Sequence, residues 1–204
     1  MIYFDFDGTI VDVWQRYYQV FLAAGGVSGL GAKEYIAAKR RLGKDDLVAA
    51  ALGVLLPSTY YDEKRRLLEE ASFLSLDTLL LSGSVLTDFF SEFPCRILTS
   101  RRDPDAFYAQ LYSLGLAALA EKSIVLRPQE KITKKEFLAA QGPCKNIMIG
   151  DAQMEYDTAA CSDTQVYLVR TGLRVPEDFA PRKNVHMTDS AAQFISQYKQ
   201  EGAL

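Results

Sequence analysis

Short apolar runs alternate with longer stretches of helical period along most of the chain, the habit of a parallel α/β sheet. Residues 2–6 are apolar except at their end and predict a buried first strand. Runs at 96–99, 123–126, 146–149 and 166–169 predict four more, the first of them set off by Pro94. Between and after them, residues 104–114, 131–140, 154–161 and 190–200 carry the spacing of helices that cover such a sheet.

The stretch 13–80 breaks the alternation. It holds no segment with strand character and four of helical period, at 13–24, 33–42, 44–53 and 60–73. Glycines at 25, 26, 29, 31 and 43, together with Pro57, punctuate these as turns and caps. A helical block between a first and a second strand reads as an inserted subdomain. The expected division is a catalytic core of residues 1–12 and 81–204 with a helical cap of 13–80.

Composition changes this picture little. A chain of 204 residues, 49% hydrophobic and 24% charged, buries enough surface to fold without a disulfide or metal staple. Twenty-three basic against 26 acidic residues leave a net charge of −3, which offers no bulk attraction to nucleic acid or to an anionic membrane. The longest apolar stretch, 47–56, falls short of the ~20 residues of a spanning helix. Met1 runs almost directly into the first strand without the n- and h-regions of a secretory leader, so a cytoplasmic location is expected. Cys95, Cys144 and Cys161 are odd in number and widely spaced, and His186 is the sole histidine. A zinc site of His and Cys is therefore disfavoured, and any metal would be held by oxygens, which points to Mg²⁺.

The chemistry gathers where the strands end. Ligands of open α/β sheets bind outside the carboxyl ends of the strands. The first strand runs into Asp5-Phe6-Asp7-Gly8-Thr9, the second into Thr99-Ser100-Arg101 and the fourth into Gly150-Asp151, with Lys131 opening the helix before that fourth strand. On an extended chain Asp5 and Asp7 point to the same side and share one pocket. Their repulsion raises one pKa while the other group stays ionised, which suits a nucleophile beside a general acid and base. Gly8 lets backbone N–H groups approach an anion closely.

These residues resemble a known family. Asp5-Phe6-Asp7-Gly8-Thr9-Ile10-Val11-Asp12 is similar to the D-x-D-G-T-[LV]-x-D opening motif of the haloacid-dehalogenase-like (HAD) hydrolase superfamily, and companion motifs follow in family order at Thr99, Lys131 and Gly150-Asp151. The resemblance implies an α/β fold with a Rossmann-like three-layer core around a parallel sheet, plus an inserted all-helical cap subdomain. It implies a Mg²⁺-dependent phosphatase acting on a small phosphorylated metabolite through an aspartyl-phosphate on Asp5. Asp7 would be the general acid and base, Thr99 would bind a phosphoryl oxygen, and Lys131 would offset charge. Mg²⁺ would sit on the Asp5 carboxylate, the Asp7 backbone carbonyl and Asp151. Gly8, Ser100 and Arg101 would contact substrate.

Lys131 is preferred to Lys134 and Lys135 because Phe137-Leu138 falls at the spacing that follows the family's lysine. The fourth motif departs from the family. Where a second aspartate is usual, this chain has Glu155, a carboxylate with a longer arm, and Asp157 is a weaker candidate metal support. Asp7 argues against the dehalogenase branch, which lacks an acid there. A sugar phosphomutase with the same core chemistry and a non-catalytic binding protein on the same scaffold stay open, as do the substrate and the oligomeric state.

Overall fold

The first strand of the sheet is β1 (Ile2–Phe4), and β2 (Val11–Asp12) follows after a tight turn. Five helices come next: α1 (Trp14–Gly25), α2 (Ala32–Leu42), α3 (Asp45–Ala51), α4 (Tyr60–Leu67) and α5 (Ala71–Leu74). The chain returns through β3 (Thr78–Leu79), α6 (Gly83–Glu92), β4 (Cys95–Ser100), α7 (Pro104–Ser113), β5 (Ser123–Leu126) and α8 (Lys134–Ala140). It closes with β6 (Asn146–Gly150), α9 (Gln153–Thr158), β7 (Thr164–Val169), β8 (Val185–Thr188) and α10 (Ala191–Gln200). The computed structural model describes residues 1–142, 144–161, 163–174, 176–200 and 202.

Six strands form one parallel sheet in the order β5-β4-β1-β6-β7-β8. The chain winds outward from β1 to β5 on one side and from β6 to β8 on the other, so strand order reverses at β1 and opens a crevice there. Side chains alternate across the pleat. Ile2, Phe4, Ile97 and Ile149 face one apolar layer with Phe89, Phe107 and Phe194 from α6, α7 and α10. Tyr3, Leu98, Met148 and Val166 face the opposite layer with Leu138 of α8 and Tyr156 of α9. The result is the expected three-layer α/β arrangement.

The helices between β2 and β3 bury their own apolar cluster, built on Val20, Phe21, Tyr35, Val48, Tyr60 and Leu67. Their stem is a two-residue antiparallel pairing, Val11 with Leu79 and Asp12 with Thr78. Asp12 also starts α1 by accepting the Trp14 N–H at 2.9 Å.

Some expectations change. The stretch 13–80 does contain a strand, β3, too short to leave a periodic trace. The single helix expected at 60–73 is two, because Glu70 adopts extended backbone between them. Strand β8 and helix α6 were not anticipated. The middle of β8, His186-Met187, is exposed at the sheet edge, so its pattern is not that of a buried strand. Helix α8 begins at Lys134 rather than at 131, which matters for the site.

Candidate active site

Asp5 lies just past β1, its N–H donating to the carbonyl of Ile149 at 2.8 Å, so the strand ladder fixes its backbone. Asp151 follows β6 directly, and Glu155 comes one helical turn later on α9. All three carboxylates are buried, with ligand atoms within 4.8 Å of one another. The approach is close enough to dictate three glycines. A Cβ on Gly172 would stand 1.9 Å from Asp151 Oδ2, one on Gly8 2.7 Å from the same oxygen, and one on Gly150 2.0 Å from Glu155 Cγ. Leu173 N–H donates to Asp151 Oδ2 at 2.8 Å, and Thr171 Oγ1 donates to the Gly8 carbonyl at 2.6 Å, so the loop after β7 closes over the cluster.

Among the described residues one ammonium serves this acidic floor, that of Lys134. Its Nζ donates to Asp5 Oδ1 and to Glu155 Oε1, each at 2.5 Å. Lys131, expected in that role, is exposed in a left-handed turn with φ 57°, and Lys135 is exposed on α8. The correction has a local cause. Thr133 is the N-cap of α8, its hydroxyl accepting the Glu136 N–H while Glu136 accepts the Thr133 N–H. That capping box starts the helix at residue 134 and aims its first side chain inward.

Burial raises the Asp5 carboxyl to about 7, with Lys134 opposing and Glu155 adding to the rise. Burial likewise lifts Asp151, reinforced by the neighbouring charges of Asp5 and Glu155. Lys134 is held in its ammonium form, because Asp5 and Glu155 outweigh the cost of burying it. Both Glu155 oxygens are engaged, one by Lys134 and the other by the Ala152 N–H at 3.0 Å. Its direct contacts are therefore to the lysine and the start of α9.

Asp7 behaves differently. Burial would raise its carboxyl, but the guanidiniums of Arg101 and Arg16 prevail and hold it below the usual carboxylate range. Both donate to the same oxygen, Asp7 Oδ1, at 2.7 Å and 2.5 Å. Arg101 was expected to meet substrate; it instead turns to Asp7 and to Gln110 Oε1, at 3.0 Å. Gln110 Nε2 donates to Asp77 Oδ2 at 2.8 Å, and Arg16 Nε lies 3.2 Å from Asp77 Oδ1. Arg16, Asp77 and Gln110 escaped the sequence reading. The first and third have a visible signal, a polar residue on a buried helix stripe: Arg16 with Val20 and Ala24, Gln110 with Phe107 and Leu111.

A cavity of about 140 Å³ opens above these groups, lined by Asp5, Asp7, Tyr17, Thr99, Ser100, Asp151, Met154 and Glu155 among others. Thr99 and Ser100 come from the end of β4, and Tyr17 reaches in from α1. The structure thus brings Asp5, Asp7, Thr99, Ser100, Asp151 and Glu155 to one crevice, with Gly8 against Asp151. Asp157 is turned to Gln153, whose Nε2 donates to it at 2.8 Å.

No family model matches the sequence, and no curated protein matches it. Solved structures do resemble the chain. A haloacid dehalogenase-like family hydrolase from Streptococcus pneumoniae superposes with a TM-score of 0.71 at 17% identity, covering 97% of each chain. The protein tyrosine kinase A of Mycobacterium tuberculosis gives 0.66 at 18% identity, over 99% of this chain and 97% of that one. A HAD family hydrolase from Deinococcus radiodurans R1, with bound phosphate and sodium, gives 0.63 at 17% identity over 98% and 95%. The chain has the haloacid dehalogenase-like fold.

Proposed function

We propose that this chain is a Mg²⁺-dependent phosphatase that hydrolyses a small phosphomonoester through a phosphoryl group carried on Asp5. The observation that carries the reading is the meeting of Asp5, Asp7, Thr99 and Asp151 around one cavity at the strand ends, with Lys134 bonded to Asp5 beneath it. The phosphate bound by the Deinococcus hydrolase of the same fold supports it.

The donor set suits a hard divalent ion. Asp5, Asp151 and Glu155 offer only oxygens, and Lys134 pairs with Asp5 and Glu155 alone of the three, which leaves negative charge uncompensated when all are ionised. Asp5 and Asp151 would hold Mg²⁺ by their side chains and Asp7 by its backbone carbonyl, with Glu155 seating Lys134. The ion would supply charge neutralisation to the phosphoryl oxygens.

The chain's own groups account for the remaining steps. An Asp5 oxygen attacks phosphorus, the P–O bond to the leaving group breaks, and the ester oxygen takes its proton from Asp7. Arrival of the dianionic phosphoryl beside Asp7 opposes the two guanidiniums and favours the protonated carboxyl this step requires. Thr99 donates to a phosphoryl oxygen, and Lys134 balances the charge of Asp5 and the phosphoryl. Asp7 then takes a proton from water as that water attacks phosphorus and the Asp5 carboxylate is released.

The test is phosphate release from a panel of sugar phosphates, nucleotides, phosphoglycolate and pyrophosphate, with and without Mg²⁺. Activity is expected only with the ion and is expected to vanish in Asp5→Asn. A wild type as inert as that variant across the panel would overturn the reading.

A further inference from the structure

We propose that Arg16, Asp77, Gln110 and Arg101 are positioning residues that hold Asp7 by one carboxylate oxygen and present the other to the leaving group. The inference rests on the phosphatase reading and concerns how its acid is aimed.

The contacts close a circuit. Asp7 Oδ1 accepts from Arg16 and Arg101, Arg101 donates to Gln110, Gln110 donates to Asp77, and Asp77 pairs with Arg16. Every member except Asp7 is at least nine-tenths buried. The members come from five places in the chain: the turn after β1, α1, the approach to β3, the end of β4, and α7. Two guanidiniums thus face two carboxyls within one buried group. Both guanidiniums meet Asp7 at Oδ1. Oδ2 makes no hydrogen bond among the described residues, while Asp7 lines the cavity.

Such a clamp has a use beyond packing. A proton donor must sit within hydrogen-bond reach of the ester oxygen, and a carboxylate free to rotate would spend most of its time elsewhere. Pinning one oxygen from two sides fixes the plane of the other. Arg16 also donates to the Leu68 carbonyl at 3.0 Å, so one of the two anchors of Asp7 comes from the helices between β2 and β3, while Arg101 anchors it from the sheet.

Leaving groups separate this role from mere support. An aryl phosphate such as 4-nitrophenyl phosphate expels a stable phenolate and needs little protonation, whereas glycerol phosphate must expel an alkoxide. The quantity to compare is kcat/KM, which covers the steps through ester cleavage, for both substrates in wild type, Arg16→Gln, Gln110→Leu and Asp7→Asn. The ratio within one preparation is independent of the folded fraction. The proposal expects kcat/KM for glycerol phosphate to fall by about 10²-fold in Arg16→Gln, the penalty of a misplaced catalytic group, against less than about tenfold for the aryl ester. Gln110→Leu should split the substrates in the same direction by less, and Asp7→Asn by most. Equal falls on both esters in Arg16→Gln and Gln110→Leu, or a gain on glycerol phosphate, would overturn the inference and leave the phosphatase reading intact. Hydrolysis of neither ester by wild type overturns both.

Discussion

Lys134 holds the acidic floor together, since among the described residues it alone pairs with both Asp5 and Glu155. Removing one partner of a buried ion pair leaves the other charges uncompensated, at a cost of about 3–5 kcal/mol. Lys134→Met is therefore expected to lower phosphatase activity by about 10²–10³-fold, the usual loss when an electrostatic stabiliser is removed. Lys131→Ala should change stability by no more than about 0.5 kcal/mol, as at other exposed sites, and leave activity near wild type. The reverse pattern in the two assays would return the role to Lys131. Asp77 gives a pH prediction. Burial, with the charge of Asp7 adding to it, pushes its carboxyl from 3.8 to about 7 despite Arg16. A folded-state pKa above the unfolded one stabilises fully at low pH, and the contribution is lost as pH rises through the folded value. The stability of wild type relative to Asp77→Asn should accordingly decline between about pH 4 and 7 and then level off, as read by urea denaturation. Parallel curves would contradict the assignment.

Helix α8 shows where reading by element succeeded and where it slipped. The run of apolar positions foretold the helix, yet its first residue decides which lysine enters the site. That start was written in Thr133-Lys134-Lys135-Glu136, a capping-box pattern whose N-cap sets residue 134 as the first helical position. Weighing Phe137-Leu138 instead shifted the choice by three residues. The five expected strands all form, and their polar ends converge because a parallel sheet delivers every carboxyl end to one rim. The Asp7 circuit was less legible, since it joins α1, α7 and the approach to β3 through contacts with no sequence period between them. Close approach hid another feature: nothing near Gly172 announces that Asp151 packs against its Cα. At this scale, Thr133→Ala is expected to cost about 1 kcal/mol, the usual value of an N-cap. It should also lower activity by loosening Lys134, and an unfolding midpoint and rate both unchanged would refute that link.

The whole molecule places its chemistry at the reversal of strand order beside β1, with a helical block hung on the β2–β3 stem above it. That block is fastened at more than the stem. Glu69, between α4 and α5, accepts the N–H groups of Arg102 and Asp103 at 2.7 Å and 2.6 Å, and Arg16 reaches from α1 to Asp7. The cavity is therefore a product of both parts, the ends of β1 and β6 with α9 giving carboxylates, β4 giving hydroxyls, and α1 giving Tyr17. Among the described residues no helix is long and apolar enough to cross a membrane. The account as a whole depends on Asp5 carrying the phosphoryl group, and that can be seen directly. Enzyme turning over a phosphomonoester with Mg²⁺ is quenched in acid, reduced with borohydride and digested, and residue 5 is read by mass spectrometry. An acyl phosphate on Asp5 is reduced to homoserine, so homoserine is predicted at that position only when substrate was present. Unmodified aspartate at residue 5 in every quenched sample, from enzyme that still releases phosphate, would contradict the account.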